Sequence, residues 1–165
     1  MREIKLSQGK IAIVDDEDYA RLAEYKWSAS PGHKTSYAVR SQSTGIKYKR
    51  RIILMHKFLL GKPPFPRAEV DHINGDGLDN RRQNLRWCSH AENRRNEPRR
   101  KTNKTVSAYK GVFRHKAKNR PFRAQIKVNG KCLWLGAFAT EKDAARAYND
   151  AAKEHFGEFA YLNTI

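Results

Sequence analysis

Glu69-Val70-Asp71-His72-Ile73-Asn74-Gly75-Asp76-Gly77, then Leu78-Asp79-Asn80-Arg81-Arg82-Gln83, then Asn84-Leu85-Arg86-Trp87-Cys88-Ser89-His90-Ala91-Glu92-Asn93, packs a strand, a loop, a second strand and a helix into twenty-five residues. Glu69–Ile73 and Asn84–Cys88 have the short, partly apolar make-up of strands. Asn74-Gly75-Asp76-Gly77 is a turn sequence that needs positive φ. Ser89 can cap the helix that follows, and Glu92 completes a capping box with it. Asp71 and His72 are neighbours on a strand, so their side chains leave on opposite faces unless the backbone bends. The glycine-rich turn offers such a bend.

Outward from this block, charge is the most informative bulk property. Thirty-four Lys and Arg stand against seventeen Asp and Glu in 165 residues, a net charge of +17. Solubility asks for a net charge of only about 2–8 on a small domain, so the surplus points to a polyanion. No apolar run approaches the ~20 residues that span a bilayer, which sets membranes aside. Met1-Arg2-Glu3-Ile4-Lys5 has no apolar signal core behind it. Cys88 and Cys132 sit far apart without a CxxC partner, which excludes a disulfide framework or zinc ribbon and points to a reducing, intracellular location. Fourteen Lys and Arg lie between Arg81 and Arg120, opposed only by Glu92 and Glu97. Asn96–Thr105 lacks any apolar residue and reads as an exposed linker. The chain therefore divides into 1–96, a basic linker 97–106, and 107–165.

In the N-terminal part, Lys10–Val14 reads as a strand, Asp15-Asp16 as a helix start, Tyr37–Arg40 and Arg51–Leu54 as strands, and Met55–Leu60 as a short helix ended by Gly61. In the C-terminal part, Tyr109–His115, Phe122–Val128 and Lys131–Phe138 are successive strands, with Asn129-Gly130 a hairpin turn. Thr140 caps a helix whose apolar face carries Ala144, Ala147, Tyr148, Ala151, Ala152 and His155, and Gly157 stops it. The fold class is α+β, with a C-terminal three-stranded antiparallel sheet packed on one helix.

Phosphodiester cleavage needs a base for the attacking water and neutralisation of charge at phosphorus and leaving oxygen. Histidine and a hard, oxygen-liganded cation supply these. The run from Val70 to Asn93 resembles the HNH endonuclease signature, in particular the phage and intron-homing branch with Asn in its third position. The likeness extends upstream through Met55-His56-Lys57 to the segment from Gly9 to Trp27. It implies a ββα-metal core over residues 69–96 in which His72 is the general base, Asp71 and Asn93 hold the metal, and Asn84 holds the loop and orients His72. One Mg²⁺ or Mn²⁺ is expected, because the set lacks a soft ligand. Asp76, Asp79 and Asn80 read as turn and cap residues. His56 is either a structural histidine or a contact at the edge of the site. His90 is a rival to Asn93, set aside on spacing. Arg81, Arg82, Arg86, Arg94 and Arg95 are candidates to grip the DNA backbone.

Ser107–Val112, Arg123-Ala124-Gln125-Ile126, Trp134-Leu135-Gly136-Ala137-Phe138, Glu141–Tyr148 and Leu162-Asn163 together resemble the plant ethylene-response-factor (ERF, Apetala-type) DNA-binding domain. That family lays its sheet in the major groove. The likeness implies groove contacts from Lys110, Arg114, Arg123, Gln125, Lys127 and Trp134. Alternation of Arg123, Gln125 and Lys127 with Ala124, Ile126 and Val128 independently gives one polar and one apolar face. For Trp134 core packing is the competing reading. Phe113 and Cys132 depart from the arginines usual in plant members, so no target sequence carries over. The expected protein is a homing-type DNA nickase of a phage or mobile element, acting on double-stranded DNA as a monomer or weak dimer. A DNA-binding regulator that cuts nothing is the rival, and the complete Asp71, His72, Asn84, Asn93 set argues against it.

Overall fold

In Ile11-Ala12-Ile13-Val14 alternate residues turn inward, and Ala12 and Val14 are fully buried. This strand, β2 (Ile11–Val14), pairs antiparallel with β1 (Arg2–Lys5), an element hidden in the sequence by its charged residues. The computed structural model describes residues 1–32, 34–99 and 107–165. They divide into two compact units, Met1–Asn93 and Arg94–Ile165. Among the described residues no helix is long and apolar enough to cross a membrane.

In the first unit, α1 (Asp16–Ala23) follows β2 and buries Leu22. A meander of β3 (Ser28–Pro31), β4 (Ser36–Ser43) and β5 (Arg50–Leu54) comes next, in that spatial order. Then α2 (Met55–Leu60) buries Met55 and Leu59 and stops at Gly61, whose φ of 72° suits a residue without Cβ. The hairpin of β6 (Glu69–His72) and β7 (Leu85–Cys88) leads into α3 (His90–Asn96). Leu22, Trp27, Met55, Leu59, Val70 and Leu85 share one core with the β1–β2 ribbon. The order strand, loop, strand, helix matches the sequence reading, and the capping box is present: Ser89 N donates to Glu92 Oε2 at 2.8 Å and Glu92 N to Ser89 Oγ at 3.3 Å.

The second unit is a sheet in the order β10-β9-β8, from β8 (Val112–Arg114), β9 (Phe122–Val128) and β10 (Lys131–Phe138), with α4 (Glu141–Phe156) against one face. Val112, Ala124 and Ile126 meet Ala144, Ala145, Tyr148, Ala151 and Ala152 there. Asn129 and Gly130 take φ of 48° and 83°, the left-handed pair of a tight hairpin turn. Thr140 Oγ1 accepts from Asp143 N at 3.1 Å, as a cap should.

Three expectations are corrected. Strand β8 is three residues long because Tyr109–Gly111 form a turn. His155 is exposed, and the last buried contact of the helix comes from Phe156. Glu97–Arg99 behave as part of the second unit, since Lys110 Nζ donates to the Arg95 and Glu97 carbonyls and Arg99 Nη1 to those of Tyr109 and Val112. The rest of the expected linker, 100–106, lies outside the described residues.

Candidate active site and nucleic-acid interface

Cross-strand register fixes which groups of the β6–β7 hairpin share a face. Asp71 pairs with Arg86 and Glu69 with Cys88, so these four occupy one side. Val70 and His72, opposite Trp87 and Leu85, occupy the other. Asp71 is buried, and its Oδ2 accepts from Arg86 Nε at 2.9 Å and Nη2 at 2.7 Å. From the adjoining helix Asn93 Nδ2 donates to Glu69 Oε2 at 2.6 Å, and His90 Nδ1 lies 2.9 Å from Glu69 Oε1. Glu69 thus stands between Asp71 and Asn93, two residues from the first and bonded to the second. The Asn93 hydrogen bond holds the Glu69 carboxyl below its usual range; partial burial opposes this and His90 assists it.

His72 closes β6, 6% exposed, on the side where His56 and Tyr37 lie. The His56 and His72 rings meet edge to face with centroids 4.9 Å apart, and Tyr37 is 5.7 Å and 5.9 Å from them. Burial lowers the His72 pKa; the Asn80 side chain and Asp71, Asp76 and Asp79 oppose the shift. Burial also pushes His56 from 6.5 down to about 3, with the charges of His72 and Lys57 acting in the same direction. Both rings are therefore neutral at pH 7.

The loop between the strands is held by asparagine. Asn84 Oδ1 accepts from Asn74 N at 3.0 Å, while its Nδ2 donates to Asn74 Oδ1 at 3.0 Å and Asp79 O at 2.8 Å. Asn84 O also accepts from Ile73 N at 2.9 Å, one residue past His72. The far side of the loop is tied to β2: Ile13 N donates to Leu78 O at 2.9 Å, and Asn80 N to Ile13 O at 2.7 Å. Asp76 Oδ1 accepts from Leu78 N at 2.9 Å, the turn role read for it in the sequence. Asn80 is almost fully buried.

The arginines around the motif are spent on carboxylates. Arg81 grips Asp79 at 2.6 Å, Arg82 grips Asp18 at 2.7 Å, and Arg86 holds Asp71. In the second unit Arg94 lies 3.9 Å from Glu97, and the Arg95 guanidinium sits 4.8 Å from the Phe156 ring centre. Sequence reasoning missed Glu69, although its i−2 spacing from Asp71 on a strand was a usable signal. It also missed that His56 meets His72, a contact only the tertiary fold creates.

The sheet of the second unit turns away from α4 a face bearing Arg123, Gln125 and Lys127 of β9, with Trp134 paired to Gln125 and Cys132 to Lys127. Trp134 is 58% exposed, which settles it as a surface residue, and the Arg123 guanidinium lies 5.5 Å from its ring centre. Arg114 is exposed as well. Lys110 is placed elsewhere, its ammonium donating to the Arg95 and Glu97 carbonyls of the same unit.

A strand–loop–strand–helix unit with an Asp-His pair at the strand end and an Asn on the helix has the layout of a ββα nuclease site. Residues 47–95 match the family model described as HNH endonuclease. The chain is 31% identical over 158 residues to an uncharacterised HNH endonuclease of Acanthamoeba polyphaga mimivirus, covering 96% of this chain and 77% of that one. This chain belongs to the HNH endonuclease family and is a nuclease, a family membership that implies DNA as substrate. No solved structure matches it.

HNH nucleases generally depend on a divalent metal. Among the described residues no cluster of three or more His, Cys, Asp or Glu is arranged to hold one. The donor set still fits a hard ion that keeps most of its water. Asp71 offers a carboxylate, and with Nδ2 of Asn93 committed to Glu69, Oδ1 is the atom of that amide that could face a cation.

Proposed function

We propose that the chain is a homing-type DNA nickase in which His72 is the general base and Asp71 and Asn93 hold one Mg²⁺ or Mn²⁺. The observation that carries this is the Glu69 bridge, which puts the helix amide on the same face of the hairpin as the Asp71 carboxylate. The bound cation supplies charge neutralisation at the phosphate and the leaving oxygen. Everything else falls to the chain. His72 is neutral at pH 7 and so able to take a proton from water. His72 and Asp71 leave β6 on opposite faces, so only a phosphate at the very end of the strand, where the turn begins, would meet both. The imidazole is only 6% exposed, so its contact with a phosphate requires a rearrangement of the side chains over it. Asn84 fixes the loop that starts beside His72 and thereby holds the strand end. One site per chain cuts one strand of a duplex, with the protein acting as a monomer or weak dimer.

We also propose that the second unit is an ERF-like DNA-binding module whose polar sheet face enters the major groove. Arg114, Arg123, Gln125 and Lys127 would contact phosphates and base edges, and Trp134 would lie against the groove wall. The exposure of Trp134 beside a guanidinium supports that role. Arg81, Arg82 and Arg86 are assigned to holding Asp79, Asp18 and Asp71, which leaves Arg94 and Arg95 as backbone contacts near the motif.

The test is nicking of supercoiled plasmid with Mg²⁺ by wild type and His72→Ala. Loss of the base lowers the rate by roughly 10²–10⁴-fold while plasmid binding persists. Equal nicking by the two proteins rejects the assignment.

A further inference from the structure

The β4–β5 hairpin projects from the first unit, its base (Gln42, Arg51 and Ile52) still lining a groove with Phe58 and Trp87. Every residue from 41 to 52 is exposed, including the paired ends of both strands. Three registered pairs, Ser41–Ile52, Gln42–Arg51 and Ser43–Arg50, carry the six-residue loop beyond the body. Beyond that groove the Ser43–Arg50 pair and the two arms of the loop, at ~3.4 Å per residue, project roughly 10 Å, more than the ~7.5–8.5 Å depth of either DNA groove.

The hairpin carries large apolar side chains in the open, two of them, Ile46 and Tyr48, in its loop. Tyr48 is 92% exposed, and Ile46 and Ile52 are each 61% exposed. Tyr48 also has a φ of 63°, a conformation costly for a bulky side chain. Internal bonds impose it: Thr44 Oγ1 donates to Lys49 O at 2.8 Å and Lys49 N to Ile46 O at 3.0 Å. The ring is thus carried on an ordered turn. Around it are Lys47, Lys49, Arg50 and Arg51. Between Glu24 and Glu69 the sequence holds ten Lys and Arg and no carboxylate, so no acidic neighbour in that stretch offsets them.

An aromatic tip flanked by cations, long enough to reach a groove floor, has the chemistry of a wedge for duplex DNA. Proteins that insert apolar side chains between base steps kink the helix, and cations on the phosphates offset the unstacking. We infer that the β4–β5 hairpin enters a groove of the duplex and seats Tyr48 against an unstacked base step, with Lys47, Lys49, Arg50 and Arg51 on the flanking phosphates. The inference rests on the DNA-nuclease reading and deepens it: the substrate is cut while deformed, and the deforming element lies outside the Asp-His-Asn motif.

The experiment uses relaxed, closed circular plasmid, a metal-independent type I topoisomerase and EDTA, with the full-length chain carrying His72→Ala to prevent nicking. Saturating protein should change the plasmid's linking number. Adding Tyr48→Ala should return it to the protein-free value while binding persists, weakened by about 5- to 150-fold, the equivalent of ~1–3 kcal/mol of base stacking. Tyr48→Phe should retain the change. The exposed tip makes the alanine variant innocuous to folding, and an unchanged urea midpoint checks this. A linking change that survives Tyr48→Ala at saturation overturns the wedge. So does a DNA-free dimer that this substitution dissociates, since the tip would then serve a second copy of the chain. A protein that binds and nicks plasmid yet never alters linking number overturns the wedge alone; one that binds no plasmid overturns the nuclease reading with it.

Discussion

Acidification from pH 7 to pH 5 should weaken the first unit through His56. Its imidazole is 5% exposed and its pKa falls from 6.5 to about 3. A base with a depressed folded pKa favours the native state above its unfolded value and loses that contribution as pH falls toward the folded one. The window is therefore pH 6.5 down to 3. At pH 5 the unfolded chain has taken up the proton and the native ring has not, so 1.5 pH units at ~1.36 kcal/mol each remove about 2 kcal/mol. His72, shifted the same way, adds to the loss. Glu69 and Asp79 have lowered pKa values, so their contributions are present above their usual 4.5 and 3.8 and fade only below those values. That leaves pH 7 to 5 to the histidines. Against a urea m-value of ~1–3 kcal/mol/M, His56 alone should move the midpoint by about 1 M, read from Trp27 and Trp87 fluorescence. His56→Phe keeps an aromatic ring against His72 and removes the titration, so its midpoint should fall by distinctly less between the same two pH values. An equal fall in both proteins would refute the assignment to His56.

Arg86→Met should cost about 3–5 kcal/mol, since removing one partner strands the buried Asp71 charge. The same change should lower the Mg²⁺ concentration for half-maximal nicking, because Arg86 and a cation compete for one carboxylate; a raised Mg²⁺ requirement in the nicking titration would show that Arg86 organises Asp71 for the ion. Gly111→Ala should destabilise the second unit by about 2–5 kcal/mol, combining overpacking with a disfavoured φ. A Cβ there would fall 2.0 Å from the Tyr148 ring at a φ of +76°, and urea unfolding followed at Trp134 should register the loss.

The β6–β7–α3 sequence was legible because its signals are local: a turn of Asn and Gly, a capping box, and short strands of the right length. The same holds for the Asn129-Gly130 hairpin and the Thr140 cap. Strand β1 escaped notice because Arg2, Glu3 and Lys5 surround its one inward residue, Ile4, whose burial depends on pairing with β2. Trp134 could not be assigned to core or surface from pattern, since Leu133 and Leu135 flank it and a bulge between Trp134 and Gly136 breaks the alternation of β10. Glu69 looked like a strand start, and only its bonds to Asn93 and His90 draw it into the site. His56 and His72 are sixteen residues apart, and no periodicity brings them together.

The arginines show most clearly where sequence stops and structure begins. Arg81, Arg82 and Arg86 crowd the motif, and a charge count alone would send all three to phosphate. In the fold each faces a carboxylate, on Asp79, Asp18 or Asp71, whose side chain is 5% exposed or less. Drawing a guanidinium away to DNA would strand that charge, at a cost comparable to breaking a buried ion pair, about 3–5 kcal/mol. A phosphate contact on a partly exposed arginine repays only a fraction of this. The cations available at low cost are instead those on the β4–β5 hairpin and on the open face of the C-terminal sheet. On the proposed reading, DNA binding and bond cleavage fall largely to different stretches of this chain, and the three arginines inside the motif, Arg81, Arg82 and Arg86, are structural struts.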